Sequence, residues 1–519
     1  MTDRWATYVD DLVEIGSGYA LDEVTGPSRL GGANGIVWSP DGRLMVTQVF
    51  GSQVTAIDVD TGDHQRYAAL GAGIVAPDDG AFGVDGTFFA TEPMNATVSA
   101  RRPDGSYRTV RDDLPAVNGM TVSHDRTRLF VDEFRPGGRL LELDPTGQAA
   151  PVVLADDLAM PNALAMGPDG ALWFPQVLAG EIWRYDLERR SLERRFRDLS
   201  TPTAVKFDSQ GRLLTSEAAA GRLTRIDLRT GGRETLAEVH PGIDNFAIAE
   251  DGRLFVSHFT DGRVAEVTNG RERVLSPSGL IGPFGLDRLP DGSLLSADAL
   301  AVNQIDSEGR TRVIMSLLAD LPGMAIDVAN HEGDPLILLV RGQVLRRRVD
   351  GRLDSVAGRL DDATAILTAP DRGAIVVERG RGRLLHLDGE GRIEVVLTGL
   401  DRPRAVAVAA DGTFWVTRSG GVTAVRNGDV VASIDGISDP HGIALLGPTV
   451  VVAEPDRRAL VAIDPVSRQR SDVATNVPLG PAVVGARTPH SFSPLLTDGD
   501  AVLVGCDGDG SIRRLRRVP

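Results

Sequence analysis

Six positions in the first half of the chain carry oxygen-bearing side chains just ahead of a short apolar strand: Asn34, Asp79, Asn118, Asn162, Thr203 and Asp244. Asp78 competes with Asp79 for its place, because that turn is one residue shorter, and Asn245 extends the last position. Hard divalent cations are held by carboxylate, amide and carbonyl oxygens, so residues of this kind converging on one point would bind Ca2+, with Mg2+ or Mn2+ as alternatives. The expected ligands are Asn34, Asp79, Asn118, Asn162, Asp244 and Asn245. Thr203 offers a hydroxyl better suited to substrate.

A second set lies seven residues beyond the turn aspartates: Gln48, Glu92, Glu133, Gln176, Glu217 and His258. Polar side chains at strand ends can form a pocket. In that reading Gln48 and Gln176 bind substrate, while His258, whose ordinary pKa lies near neutrality, moves a proton with Glu133, Glu92 and Glu217 as rivals. Asn and Asp before a strand can also simply cap a turn. The second half argues against that alone, since the two registers there hold Phe284, Met324, Thr364, Arg404, His441 and Ser491, then Asp298, Leu339, Glu378, Arg418, Glu454 and Gly505.

These positions need strands to present them. Units such as "NGIVWSPDGRLMVTQ", "NALAMGPDGALWFPQ" and "DNFAIAEDGRLFVSH" each read as strand, Asp-Gly turn, strand, and two further strands usually follow. Twelve copies recur at a spacing of about 40 residues, the period of a propeller blade. Propellers close with few blades, so the sequence predicts an all-β protein of two tandem six-bladed β-propellers built from four-stranded antiparallel blades. The predicted divisions are an N-terminal segment, 1–29, holding a candidate closing strand, a first propeller over 30–278 and a second over 279–519.

Composition narrows the partners. A length of 519 residues with 42% hydrophobic and 24% charged residues fits a globular protein of more than one domain. The net charge of -17 disfavours nucleic acid. No apolar run is long enough for a membrane helix, and the start, "MTDRWATYVDD", carries acids where an export signal would be basic. Cys506 is the sole cysteine, which excludes an internal disulfide framework and fits a cytoplasmic location. Lys206 is the sole lysine; a strand-edge charge is the simpler reading of it than a Schiff base. The expected partner is a small molecule.

"NGMTVSHDRTRLFVDE" and "MPNALAMGPDGALWFPQ" resemble the "PNG-[LI]-x-x-SPDG-x-x-LYV" blades of the senescence marker protein-30/gluconolactonase family, which is grouped with paraoxonases and diisopropylfluorophosphatase. "DNFAIAEDGRLFVSH" resembles a paraoxonase blade. The resemblance implies Ca2+ ligation by Asn118, Asn162, Asp244 and Asn245, a channel-mouth role for His258, and a metal-dependent hydrolase of small lactones or esters. Asn34 stands where that family has a metal-binding Glu, and Thr203 interrupts the ligand run. "PHGIALLGPTVVVAE" is similar to a blade of the virginiamycin B lyase family, which would make His441, Glu454 and Asp439 an alternative site and the protein a lyase, isomerase or cyclase. A binding or scaffold protein is the third expectation, because propellers serve all these roles.

Overall fold

The computed structural model describes residues 12–268, 271–369, 373–388, 391–480 and 492–519. Residues 1–11, read above for an export signal, and Ser491 lie outside the described residues. Among those described the chain is all-β, with twelve antiparallel sheets and two single-turn 3-10 helices, Val177–Ala179 and Pro455–Arg457. None of the described helices is long and apolar enough to cross a membrane.

Ten sheets are four-stranded meanders of consecutive strands, spanning 36–68, 80–111, 117–159, 165–196, 202–238, 243–276, 285–316, 325–357, 363–397 and 406–435. The local cause is an alternating apolar strand pair joined by a turn whose glycine must take a left-handed backbone. Gly42 (φ 82°) and Gly252 (φ 88°) are two such positions, and Asp251 caps its turn by accepting the Arg253 N–H at 3.0 Å. The last two sheets are completed from the N-terminus. Tyr19–Thr25 pairs antiparallel with Ser511–Arg517 to make the fourth strand of one, and Glu14–Ile15 adds a fifth strand to the other by pairing with Arg470–Thr475.

The first strands of successive sheets lie side by side. In the first half, Ile36–Trp38 neighbours Gly80–Phe82 on one side and Ile243–Ile248 on the other. In the second, Gly285–Arg288 neighbours both Ala325–His331 and Leu495–Asp498. The joint in the first half is packed with Ile36, Leu44, Val46 and Ile57 against Ala247, Phe255 and Val264, and the Trp38 indole N–H donates to the Ile248 carbonyl at 2.9 Å. In the second half Leu286, Leu294 and Ile305 meet Leu503 and Ile512, and Arg288 pairs with Asp498 at 2.7 Å. This is a β-propeller-like arrangement in which each sheet buries both faces against its neighbours.

The two halves share an apolar core. Val49, Phe50, Ala76 and Phe259 from the first pack with Ile281, Phe284, Ala299 and Leu300 from the second. These residues follow the second strands or precede the first strands of their sheets, so strand-entry faces of the two halves meet there.

Deleting residues 1–25 removes both N-terminal strands and exposes the edge of Ser511–Arg517. The truncated protein is expected to melt several degrees lower, because even about 2 kcal/mol lowers the midpoint by roughly 4 °C or more in a domain of ~250 residues. Thermal unfolding checks this, and an unchanged midpoint would show that the strands are dispensable.

Candidate functional site

The backbone register fixes which first-half residues reach the strand-entry face. The Asn34 N–H donates to the Thr47 carbonyl at 2.9 Å, and the Asp78 N–H donates to the Thr91 carbonyl at 2.9 Å. Asp78, and not Asp79, therefore matches Asn34. Asp79 and Asn245 sit one residue farther along their strands.

Four residues of the expected set, counting Asp78, converge. Asn34 donates from Nδ2 to Asp244 Oδ2 at 2.9 Å, and the Asn118 amide bonds the Asp78 carboxylate. Asp132, which the sequence reading missed, joins them from the strand Leu129–Glu133. Its Oδ1 accepts the Gly119 N–H at 3.0 Å, while its Oδ2 is buried without a hydrogen-bond partner, as is Asn118 Oδ1. A side chain at Gly119 would collide with Asp132 Oδ2 at 2.4 Å and with the Ala163 nitrogen at 2.5 Å, so a glycine is needed where the two blades approach.

Electrostatics make this cluster unhappy alone. Burial is the largest cause of the upward shift at every member, and like charges add to it. Asp132 is pushed up to about 8 by burial and by Asp79 and Glu133. Asp244 rises to about 7 through burial and Asp79, opposed by the Asn34 hydrogen bond. Asp78 lies well above the usual carboxylate range, through burial and then Asp244, Asp79 and Asp132. Lys206, half-buried on the edge strand Pro202–Phe207 of its sheet, has its ammonium pKa pulled down by burial, and Asp79 offsets part of that.

Other expected ligands serve the backbone. Asp79 Oδ1 accepts the Gly80 N–H at 2.9 Å and Oδ2 the Met120 N–H at 3.1 Å, which ties one blade to the next. Asn162 Oδ1 accepts the Ala163 N–H at 2.8 Å, and Asn245 Oδ1 the Phe246 N–H at 2.9 Å. Thr203 Oγ1 lies 2.9 Å from Ser216 Oγ and donates to the Ile243 carbonyl at 3.2 Å.

The second polar set has a different purpose from the pocket expected of it. Gln48 Oε1 accepts the Gly31 N–H at 2.9 Å, Glu217 Oε2 the Ser200 N–H at 2.8 Å, Glu92 the Val75 N–H, and Gln176 the Ala159 N–H. Gln48, Glu217 and Glu92 each clamp the loop that enters their own sheet, whereas Gln176 holds the end of the last strand of the preceding sheet, Val152–Ala159. Glu133 instead pairs with Arg135 at 2.7 Å and with Arg139. His258 is fully buried, its Nε2 is 3.2 Å from the His240 carbonyl, and its ring stacks on His240 at 3.9 Å. Burial first, and His240 second, lower its pKa to about 3, so it is neutral near pH 7, and it lies beside His240, Asp261 and Arg263 instead of in the Asp78 cluster.

The second half clamps its loops in the same way. Asp298 accepts the Ile281 N–H at 3.0 Å, Glu378 the Asp361 N–H at 2.8 Å, and Glu454 the Ser438 N–H at 2.7 Å. Glu454 also pairs with Arg457 at 2.5 Å. Its strand-entry face holds a cavity of about 450 Å³ lined by Asp327, Arg379, Arg404, Asp439, His441 and Phe492 among others. Arg404 bonds Asp439 at 2.7 Å and contacts the His441 ring, His441 Nε2 lies 3.2 Å from Asp439, and His441 Nδ1 is buried without a partner. Of the alternative trio, His441 and Asp439 line this cavity, whereas Glu454 holds a loop.

No family model and no curated protein matches the chain. Among solved structures it is similar to the extracellular domain of a putative one-component system from B. thetaiotaomicron, at 11% identity over 96% of this chain and 82% of that one, TM-score 0.34. A putative hybrid two-component system of the same organism gives 12% identity over 94% and 81%, TM-score 0.35. A chain of a nidogen/laminin complex gives 17% over 45% and 93%, TM-score 0.41. Likenesses this distant carry no argument about function.

Raised carboxyl pKa values set a sign for pH dependence. Asp132 and Asp244 bind protons more tightly folded than unfolded, where the value is 3.8, so the stability they add is complete below about 4 and is lost as pH rises through about 7 to 8. In chelator, the melting temperature is expected to fall between pH 5 and pH 8, and added Ca2+ to restore it most at pH 8; a profile flat in pH and calcium contradicts the cluster's charge state. Glu217→Ala, by contrast, should cost about 1–3 kcal/mol by orphaning the Ser200 N–H, with no change in calcium response, as chemical denaturation would read.

Proposed function

We propose that the twelve sheets form two six-bladed β-propellers, and that the first is a divalent-cation-dependent hydrolase of a small lactone or ester. The side-by-side run of first strands and the two packed joints support the two-ring reading. The observation that carries the function is the pair of buried, unpartnered oxygens, Asn118 Oδ1 and Asp132 Oδ2, inside a group of carboxylates that repel one another. A hard cation fits that donor set: Asp78, Asp244 and Asn118 would hold it, while Asn34, whose Oδ1 accepts the Val49 N–H at 3.0 Å, steadies Asp244. Such an ion polarises a carbonyl and lowers the pKa of water.

The chain's own residues then divide the work. Asn34 fixes the Asp244 carboxylate through its Nδ2 hydrogen bond, and Gly119 fixes Asp132 through its N–H. In the metal-free chain burial lifts the Asp132 pKa to about 8; a cation beside it would lower that value, which puts its unpartnered Oδ2 in reach of proton transfer near neutral pH. His258 does not take this role, because it faces His240.

A second reading rests on the cavity in the other half. Arg404, His441 and Asp439 together present a cation, an imidazole with a free Nδ1 and a carboxylate to a volume of about 450 Å³, a set suited to a lyase or isomerase acting on an anionic organic substrate.

Activity against a lactone and aryl-ester panel decides between them. Chelation and Asp244→Asn are each expected to abolish hydrolysis, with calcium affinity about tenfold or more weaker in the variant because one ligand charge is lost, while His441→Ala leaves hydrolysis intact. If His441→Ala alone abolishes activity, the second half carries the chemistry. Purified protein devoid of activity and of calcium response would leave a binding protein.

A further inference from the structure

We infer that His240, His258 and Asp261 form a site for a borderline transition-metal ion, Zn2+ by its ligand chemistry, at the seam between the two halves and apart from the Asp78 cluster. One donor atom from each lies within 4.8 Å of the other two. His240 Nε2 and Asp261 Oδ2 are 2.9 Å apart, an ion-pair contact that would widen to roughly 3.4 Å with both atoms bound at about 2.0–2.2 Å to one tetrahedral zinc. In the metal-free chain the imidazoles stack with 14° between their planes and centroids 3.9 Å apart, so the half-exposed His240 ring would turn out of the stack to bring its nitrogen onto the same ion as His258.

A further observation points to a ligand here. His258 Nδ1 is completely buried with no hydrogen-bond partner, although a buried imidazole nitrogen left unpaired is costly. The donor set also differs in kind from the first-half cluster: two nitrogens and one oxygen select zinc over calcium.

The position gives the site a structural role. The Asp261 carbonyl accepts the Gly279 N–H at 2.9 Å, at the start of the passage into the second half. Gly262 lies against the Leu30 carbonyl, where a side chain would come within 2.7 Å. His240 belongs to the preceding inter-sheet loop. An ion on these three side chains would therefore bind together the entry to the first sheet, the sixth sheet and the link to the seventh.

The test is a Zn2+ titration of the metal-free full chain in excess Ca2+, which fills a hard-oxygen site first. About one equivalent of zinc is expected to bind and to raise the melting temperature. His240→Ala, at a half-exposed side chain, should keep the circular dichroism of the native protein and lose that equivalent, with Asp261→Asn as a second variant. Asp244→Asn should keep it. Absence of zinc binding, unchanged binding in His240→Ala, or loss of zinc in Asp244→Asn would each overturn the assignment.

Discussion

A buried acceptor at the end of a second strand, taking a backbone N–H from the loop that leads into the same sheet, is the contact on which much of this architecture depends. Gln48, Glu217, Asp298, Glu378 and Glu454 all make it. A loop entering a sheet has an N–H that the ladder cannot satisfy, and burying it unpaired would cost about 1–3 kcal/mol. The clamp removes that cost. It also fixes where each first strand begins, and so which side chains meet at its mouth.

That constraint explains why the two halves share a skeleton and differ in chemistry. With entry loops fixed, the mouth positions are free to vary. The first half places Asn34, Asp78, Asn118 and Asp244 there, a set whose two carboxylates repel each other and call for a cation. The second places Phe284, Thr364, Arg404 and His441 in the corresponding places and leaves a cavity beside the apolar core shared by the halves. Where the first half ends a strand with His258 in place of an acceptor, the imidazole turns to the carbonyl of the entry loop, and a different group of ligands results.

Much of this was legible from spacing. Asp-Gly turns between alternating strands mark every hairpin of the "NGIVWSPDGRLMVTQ" kind, and the amides and acid before them led directly to Asn34, Asn118 and Asp244. The one-residue ambiguity at Asp78 and Asp79 could be resolved only by the ladder, because a shorter turn hides which residue faces the mouth. Asp132 escaped notice because it lies within a strand, where Thr47, Thr91 and Ser257 stand in other sheets; an acid in a hydroxyl position was its signal. The glutamates of the second set were misleading for a physical reason: a strand-end carboxylate facing a pocket and one clamping a buried N–H leave the same mark in sequence. His240 and Asp261 come together with His258 through a loop and a turn, and no periodicity links them.

The central claim is that the Asp78 cluster is a cation site. Anomalous difference density from crystals of the full chain grown with Mn2+ tests it most directly. The account predicts a peak within coordination distance of Asp78, Asn118 and Asp244. A well-ordered mouth with no peak there, or with the Lys206 ammonium seated among those carboxylates in its place, would contradict it.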